Sequence, residues 1–131
     1  MFTEQQILAA HSKVKSGADF PKYIQEVKAL GLNQYEFWVT DGHTSYYGND
    51  EVINGKGKYD FMEIASISSA ATLRHNIAIH QQGQTDFLTF CRQAADAGVE
   101  KWVIDTQKMM CTYYNVDGDE MVAEPIPEAT F

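Results

Sequence analysis

Three side chains in the second half of the chain have the chemistry of a small nucleophilic site: Cys111, His80 and Asp86. A thiolate nucleophile needs solvent access and a base beside it, and His80 is a candidate for that base. Structural roles explain the positions of His80 and Asp86 more simply than catalysis does. Catalysis is therefore the alternative hypothesis. His80 follows Leu73 and Ile77 on one predicted helical face, so its ring can bridge that helix to the next by a hydrogen bond. Asp86 stands where a helix N-terminus needs a side-chain acceptor.

The residue types that bind metals or phosphates do not occur at the spacings such sites need. His75 and His80 are five positions apart, which puts them on different faces of a helix. The acidic clusters at residues 49–51 and 117–120 lack the spacing of a calcium loop. The glycine-rich stretch 54–58 lacks the pattern of a phosphate-binding loop. The sequence therefore predicts neither a metal nor a cofactor.

Four tyrosines form two adjacent pairs on predicted strands, Tyr46 with Tyr47 and Tyr113 with Tyr114. Successive side chains of a strand point to opposite faces, so one member of each pair is expected to face outward. Exposed aromatic rings on an acidic surface suit contact with a protein or a ligand, which makes these four tyrosines the predicted binding residues. Coverage of the rings by the protein's own helices is the simpler alternative.

Composition limits the classes of partner. The net charge of −8, from 10 basic and 18 acidic residues, disfavours contact with a phosphate backbone, so no nucleic-acid partner is predicted. The longest early apolar run, Ile7 to Ala10, is far shorter than the roughly 18 residues of a membrane-spanning helix. Without a basic or apolar leader after Met1, the sequence predicts a soluble cytoplasmic protein with no membrane contact. In that compartment Cys91 and Cys111 are expected to be free thiols.

Start and stop signals divide each half of the chain into two helices. Thr3 and Gln6 form a capping box, and Gly17 is expected to end the first helix. Asp19 is placed to cap the second helix, which Gly31 ends. The second half repeats this order, with caps from a serine at position 66, 68 or 69 and from residue 85 or 86, and with glycine ends at 83 and 98.

Alternation of apolar and polar residues predicts strands after each helix pair. In the first half the strands are expected over residues 35–40, 44–47 and 59–65. A turn at Asp41-Gly42 joins the first two, and a loop-rich stretch from 48 to 58 precedes the third. In the second half the predicted strands cover residues 101–105, 109–115 and 120–124.

The two halves carry similar residues at matching places. Asp19 and Gly31 recur as Asp86 and Gly98, and the other matched pairs are His11 with His80, Trp38 with Trp102, and Tyr46-Tyr47 with Tyr113-Tyr114. The sequence therefore predicts an α+β fold, in which two pseudo-symmetric helix-helix-strand-strand(-strand) repeats form one antiparallel sheet covered by helices. One domain is expected over residues 1–131, with repeats at about 1–65 and 66–131. Superposition of residues 3–47 on 69–114 should make the tryptophans coincide.

The second half also carries a specific run of residues: His80-Gln81-Gln82-Gly83-Gln84-Thr85-Asp86-Phe87, then Phe90-Cys91, Trp102 with Asp105, Met110-Cys111, Tyr113-Tyr114 and Glu124-Pro125-Ile126-Pro127. This run resembles the YdfO-like family of bacterial and prophage proteins of unknown function, sometimes labelled "phage envelope protein". The match covers residues 75–127, and the first half agrees in length and coarse pattern. The resemblance implies a fold and no activity. The envelope label does not fit a chain in which nothing spans or anchors to a membrane.

Two hypotheses of function follow. The first is a non-enzymatic binding or accessory module of bacterial or prophage origin, which can form a homodimer or bind a protein partner. No complete catalytic constellation is visible, and the match of His80 with His11 is more simply explained by architecture. The second is a small enzyme or ligand-binding protein with Cys111 and His80 in a cleft between the repeats. A perturbed cysteine pKa beside a pocket would favour the second, and a flat apolar patch the first.

Overall fold

The computed structural model of the protein describes residues 3–13, 19–48 and 51–126. Within these ranges the chain forms four helices and six strands. In chain order they are α1 (Glu4–His11), α2 (Phe20–Ala29), β1 (Gln34–Trp38), β2 (Thr44–Gly48), β3 (Glu51–Asn54), α3 (Ala70–Gln81), α4 (Phe87–Asp96), β4 (Val99–Asp105), β5 (Met110–Asn115) and β6 (Glu120–Pro125). The predicted α+β class and the helix-helix-strand order are confirmed.

Side-chain caps begin three of the four helices. The Thr3 hydroxyl accepts from the Gln6 backbone N–H and the Gln6 side chain accepts from the Thr3 N–H, which completes the predicted capping box. Ser69 caps α3 and Asp86 caps α4. The prediction for Asp19 is wrong in one respect, because it precedes α2 with a helical backbone and makes no side-chain cap hydrogen bond. The expected end of the first helix at Gly17 lies outside the described residues.

One antiparallel sheet contains all six strands in the order β3-β2-β1-β4-β5-β6. Each half of the chain supplies a three-stranded meander, and β1 pairs with β4 where the two meanders meet. Apolar side chains alternate with polar ones along these strands, so the buried positions share a face. The helices pack on that inner face, with α4 against β4 and α3 against β6.

The predicted third strand at residues 59–65 is wrong. The third strand of the first half is β3, which pairs with β2 at the sheet edge and lies within the stretch expected to be loop. Residues 58–65 make single backbone hydrogen bonds instead of a ladder. The N–H of Lys58 donates to Asp41 and that of Met62 to Thr40, whereas that of Ala65 donates to Ala95. This segment therefore crosses from the β1–β2 turn to the end of α4, and its acceptors do not line up along one strand.

A constant offset of 67 residues relates the halves from the start of the second helix to the second strand. Asp19 corresponds to Asp86, and Gly31 (φ 103°) corresponds to Gly98 (φ 91°). The hydrogen bonds that flank the β1–β4 pairing obey the same relation. The N–H of Val39 donates to the Glu100 carbonyl at 2.9 Å, and its counterpart, that of Thr106, donates to the Asn33 carbonyl at 3.0 Å. The relation is that of a pseudo-twofold axis between β1 and β4.

The predicted coincidence of the two tryptophans is wrong. With the offset of 67 residues, the counterpart of Trp102 is Tyr35, and both side chains are buried on the inner face. Trp38 lies on the outer face, where it stacks on His43. Aligning Trp38 with Trp102 shifts the strand by three residues, and an odd shift moves every side chain to the opposite face of the sheet.

Candidate ligand-binding cavity

A cavity of about 540 Å³ lies between the helices and the inner face of the sheet. This volume falls within the range of about 300–1,000 Å³ that is typical of small-molecule sites. All four helices and five of the six strands contribute to its wall. Nine of the 21 lining residues are Phe, Tyr or Trp: Phe20, Tyr23, Tyr35, Phe37, Tyr46, Phe87, Phe90, Trp102 and Tyr113. The cavity therefore belongs to both halves of the molecule.

Trp102 is the centre of the aromatic wall. Its indole stacks on Phe37, with ring centroids 4.3 Å apart and planes 17° from parallel. Phe90 and Tyr113 meet the same indole at 5.6 Å and 5.7 Å, and Phe87 meets it edge-on at 6.2 Å. These side chains fix one another, because each ring packs against at least one neighbour in a favourable tilted, edge or stacked arrangement. The wall is therefore preorganised for a flat, largely apolar guest.

Four tyrosines of the cavity wall are held in the neutral form. Burial raises the pKa of Tyr23, Tyr35 and Tyr113 well above that of a free phenol. Burial also raises the pKa of Tyr46, against the opposing effect of the nearby Thr44 hydroxyl. The wall therefore offers phenolic O–H groups for hydrogen bonding and gains no negative charge from them near neutral pH.

His80 lies in the last turn of α3 and contributes one edge of the cavity. Its Nδ1 is 3.0 Å from the Thr85 carbonyl oxygen and 3.1 Å from the Thr85 hydroxyl, and its ring stacks on Phe90 at 4.6 Å. Because a carbonyl can only accept, we assign the proton to Nδ1 and leave Nε2 of the neutral ring as an acceptor. Desolvation lowers the pKa of His80, which favours that neutral ring. The hydrogen-bonded bridge from α3 to the start of α4 is confirmed.

His11, the counterpart of His80, lines the same cavity. Its ring meets Tyr23 edge-on at 5.2 Å and Phe87 at 6.0 Å. Desolvation lowers the pKa of His11, and the charge of Lys58 lowers it further. The repetition of this position in both halves favours an architectural role. The pseudo-twofold axis adds a second consequence, because it brings both copies of the position to one cavity.

Both cysteines are free thiols, as predicted, and both are buried. Burial raises the pKa of Cys91 and of Cys111 to about 12. Cys111 lines the cavity, where the nearby Tyr113 phenol acts against the rise in the thiol pKa and the Glu124 charge adds to it. A thiol nucleophile needs the opposite shift, toward the thiolate. The cysteine pKa is therefore perturbed beside a pocket, but in the direction that keeps the sulfur protonated.

The remaining predicted site residues lie apart from one another. Asp86 is exposed outside the cavity lining, and its carboxylate accepts from the Thr89 N–H at 2.7 Å, as expected of a cap. Tyr46 and Tyr113 face the cavity, as described above. Tyr47 and Tyr114 lie half-buried on the outer face, where the Lys101 ammonium is 5.6 Å from the Tyr114 ring centroid. The four predicted binding tyrosines thus divide two and two between the faces of the sheet.

Comparison with known proteins identifies the family. Residues 8–125 match the family described as "Protein of unknown function (DUF1398)". The chain belongs to this family. The Escherichia coli (strain K12) protein named "Uncharacterized protein YcgX" is 23% identical over 115 residues, which cover 87% of this chain and 86% of that protein. Neither name carries an activity.

Two charged residues of this DUF1398 chain line the cavity although no sequence pattern predicted them there. Lys58 follows a glycine-rich stretch, and its ammonium lies 5.7 Å from the Phe37 ring centroid. Glu124 lines the cavity from β6, where it pairs with Cys111 of β5. Neither residue belongs to a motif. Lys58 reaches the cavity because its backbone N–H is bonded to the Asp41 carbonyl at 2.8 Å, a contact between distant loops.

Two general classes of site receive no support from the described parts of the chain. Residues 3–13, 19–48 and 51–126 contain no cluster of three or more His, Cys, Asp or Glu side chains arranged to hold a metal ion. Over the same ranges, no helix combines the length and the apolar character needed to cross a membrane.

Proposed function

We propose that this protein binds a small, planar and mainly apolar molecule in the cavity between its two repeats. The observation that carries the proposal is the aromatic cavity of about 540 Å³, with polar groups from both halves at its wall. Large apolar pockets with a few convergent polar groups are the usual sites of small-molecule recognition. Neutral phenols and imidazoles supply donors and acceptors that fix the orientation of such a guest.

We propose binding without covalent catalysis. Cys111, the nucleophile of the alternative hypothesis, has a pKa raised by burial to about 12. The proton assigned to His80 Nδ1 is used in its bond to Thr85, which leaves Nε2 as a hydrogen-bond acceptor for a guest. This chemistry supports the ligand-binding form of the second hypothesis. It does not supply the thiolate that an enzyme of that kind would need.

We further propose that the protein acts in the cytoplasm as an accessory protein of prophage origin. The resemblance of the run from His80 to Phe87 to YdfO-like proteins supports the origin, and the two free thiols support a reducing compartment. A homodimer or protein partner stays a prediction. The outer sheet face with Trp38, Lys101 and Tyr114 is the surface that such a partner would contact.

The binding proposal is tested by calorimetric titration with a neutral bicyclic probe, 2-naphthamide. We expect saturable binding of one probe per chain, and loss of that binding in Cys111→Phe, because the new ring occupies the cavity. Thr112→Phe is the matched control, since Thr112 is the next residue of β5 and faces the outer side. Thermal melts verify that each variant folds. If Cys111→Phe does not fold, Ile77→Phe fills the cavity from α3 instead.

Absence of saturable binding to the wild-type protein would contradict the proposal. Equal affinities of the wild type and a folded cavity-filling variant would contradict it too, because the probe would then sit elsewhere.

A further inference from the structure

Lys58 brings a cation to the cavity and forms no ion pair with another described residue. The ion pairs formed by the described residues are Lys13–Glu26, Lys101–Glu36 and His43–Asp41, and none of them includes Lys58. Desolvation lowers the pKa of Lys58, with the charges of Cys91 and Glu4 acting in the opposite direction. Lys58 is a solvent-exposed residue whose ammonium lies over the Phe37 ring at the border of the cavity. An ammonium in that place can form a charge-assisted hydrogen bond with an anionic group of a bound molecule.

A second unsatisfied polar group lies at the same corner of the cavity. Thr44 is 2% exposed, and its hydroxyl is buried without a hydrogen bond of acceptable geometry, although it lies close enough to Tyr46 to affect that phenol. Thr44 pairs directly with Phe37 across β1 and β2, and Phe37 is the ring beneath the Lys58 ammonium. Cross-strand partners point to the same face of a sheet. The Lys58 ammonium and the Thr44 hydroxyl therefore both lie beside Phe37, on the inner face of the sheet.

The other half of the molecule places the opposite charge at the corresponding corner. With the offset of 67 residues, the counterpart of Thr44 is Cys111, and the cross-strand partner of Cys111 is Glu124. The Glu124 charge adds to the burial that raises the pKa of Cys111 and Tyr113. A carboxylate there repels an anionic ligand group. The Glu4 carboxylate acts on Lys58 and Tyr46 at the first corner, where the Lys58 ammonium offsets it. No Lys or Arg other than Lys58 is among the described residues that line the cavity, so the Glu124 corner has no such offset. The difference favours one orientation of an anionic ligand.

We propose that the ligand is a planar aromatic molecule with a carboxylate or similar anionic group, and that this group binds at the corner formed by Lys58 and Thr44. This inference rests on the proposed ligand-binding function and adds the charge of the ligand and its orientation. The ring system lies along the wall formed by Phe37 and Trp102. The anionic group points toward the first half of the molecule, away from Glu124.

The test compares two probes that share a ring and differ in charge, 2-naphthoate and 2-naphthamide, by calorimetry at fixed ionic strength. A hydrogen bond to a charged group contributes about 1.5–3 kcal/mol, which corresponds to roughly a tenfold to hundredfold change in affinity. We expect the wild-type protein to bind naphthoate at least about tenfold more tightly than naphthamide. In Lys58→Met, naphthoate should lose about that factor, whereas naphthamide binding should change little.

Two further variants make the test specific. Lys56→Met removes an equal charge from a second exposed lysine, two residues away, which does not line the cavity, and both probes should keep their wild-type affinity. Thr44→Val keeps the shape of the side chain without its hydroxyl, so naphthoate should lose a few-fold in affinity and naphthamide should not. If Lys58→Met lowers the melting temperature sharply, Lys58→Gln replaces it as the uncharged variant.

The outcomes separate this inference from the proposed function. Equal affinities of the two probes for the wild-type protein would overturn the inference and leave cavity binding intact. An equal loss of both probes in Lys58→Met, or the same loss of naphthoate in Lys56→Met, would also overturn it. Failure of both probes to bind the wild-type protein would overturn the proposed function itself.

Discussion

The two halves of the molecule share a scaffold and differ in the polar groups they place on the cavity. In the first half, β2 brings Thr44 next to the strand that carries Phe37, with Lys58 above that ring. In the second half, β5 brings Cys111 to the equivalent place, paired with Glu124. Helix positions, strand order and the positive-φ glycines at the ends of the second helices repeat, because both copies must bury the same face. The lining can differ, since a side chain that borders the cavity is open on one side and is packed less completely than a residue of the core.

The N-termini of the second helices, α2 and α4, also differ between the halves although the same residue type precedes both. Asp86 caps α4 through the Thr89 N–H, whereas its counterpart Asp19 has a helical backbone and does not cap α2. Pro21 in the first turn of α2 has no N–H to be capped, which reduces the need for a side-chain acceptor there. A repeated residue type therefore does not guarantee a repeated role, and this applies equally to His11 and His80.

The largest effect is expected at the tryptophan whose partner the sequence misassigned. Trp102→Ala should lower the free energy of unfolding by about 3–5 kcal/mol, because the indole is buried among Phe37, Phe90 and Tyr113. Trp38→Ala on the outer face should cost clearly less. Chemical denaturation of both variants measures the difference. Similar losses in the two variants would show that Trp38 is packed as tightly as Trp102, which would contradict its place on the outer face.

A smaller effect is expected from the two histidines. His80→Ala should lower the free energy of unfolding by about 1–3 kcal/mol, since the Thr85 groups lose their partner. His11→Ala should cost less, because the His11 ring makes edge contacts with Tyr23 and Phe87 and no hydrogen bond among the described residues. Thermal melts at pH 7.5 measure both. An unchanged midpoint for His80→Ala would show that the bridge to α4 is not structural.

The smallest effect concerns the thiols that only the second half carries. The ordinary thiol pKa of 9.0 rises to about 12 in the folded state for Cys91 and Cys111. As pH rises above 9, the unfolded chain therefore loses protons that the folded chain keeps, and stability falls. Each thiol should contribute about 1 kcal/mol to this loss by pH 10, whereas below pH 9 the loss is absent.

Denaturation at pH 7.5 and pH 10 tests this expectation in the wild type and in Cys91→Val/Cys111→Thr. The variant places Thr at the position equivalent to Thr44 of the first half. The difference in stability between the two pH values should shrink in the variant, whatever its absolute stability. Tyrosines with a raised pKa still contribute above pH 10 in both proteins. An unchanged pH difference would show that the thiols are not protected from ionisation.

Local sequence signals predicted the elements that depend on near neighbours. The capping box at Thr3, the cap at Asp86 and the paired strands around the Asp41-Gly42 turn agree with the structure. The edge strand β3 was missed, because its four residues include Glu51 and Asn54 and its Val52 is 56% exposed. Ile53 is the one apolar residue of β3 that packs against the core, and a single half-buried side chain gives too little periodicity to predict a strand.

The sequence by itself determined the class of the fold, the helix caps and the presence of two similar halves. Only the tertiary structure decided which residues share the cavity. Lys58 arrives there by a backbone bond between distant loops, and Trp102 lies opposite Phe37 through the pairing of β1 with β4. Helix caps, and the alternation of apolar and polar residues along a strand, depend on residues a few positions apart. The local sequence can therefore predict them. The register between strands from different halves depends on packing over the whole chain, and a shift of a single residue moves a side chain from the cavity to the outer face.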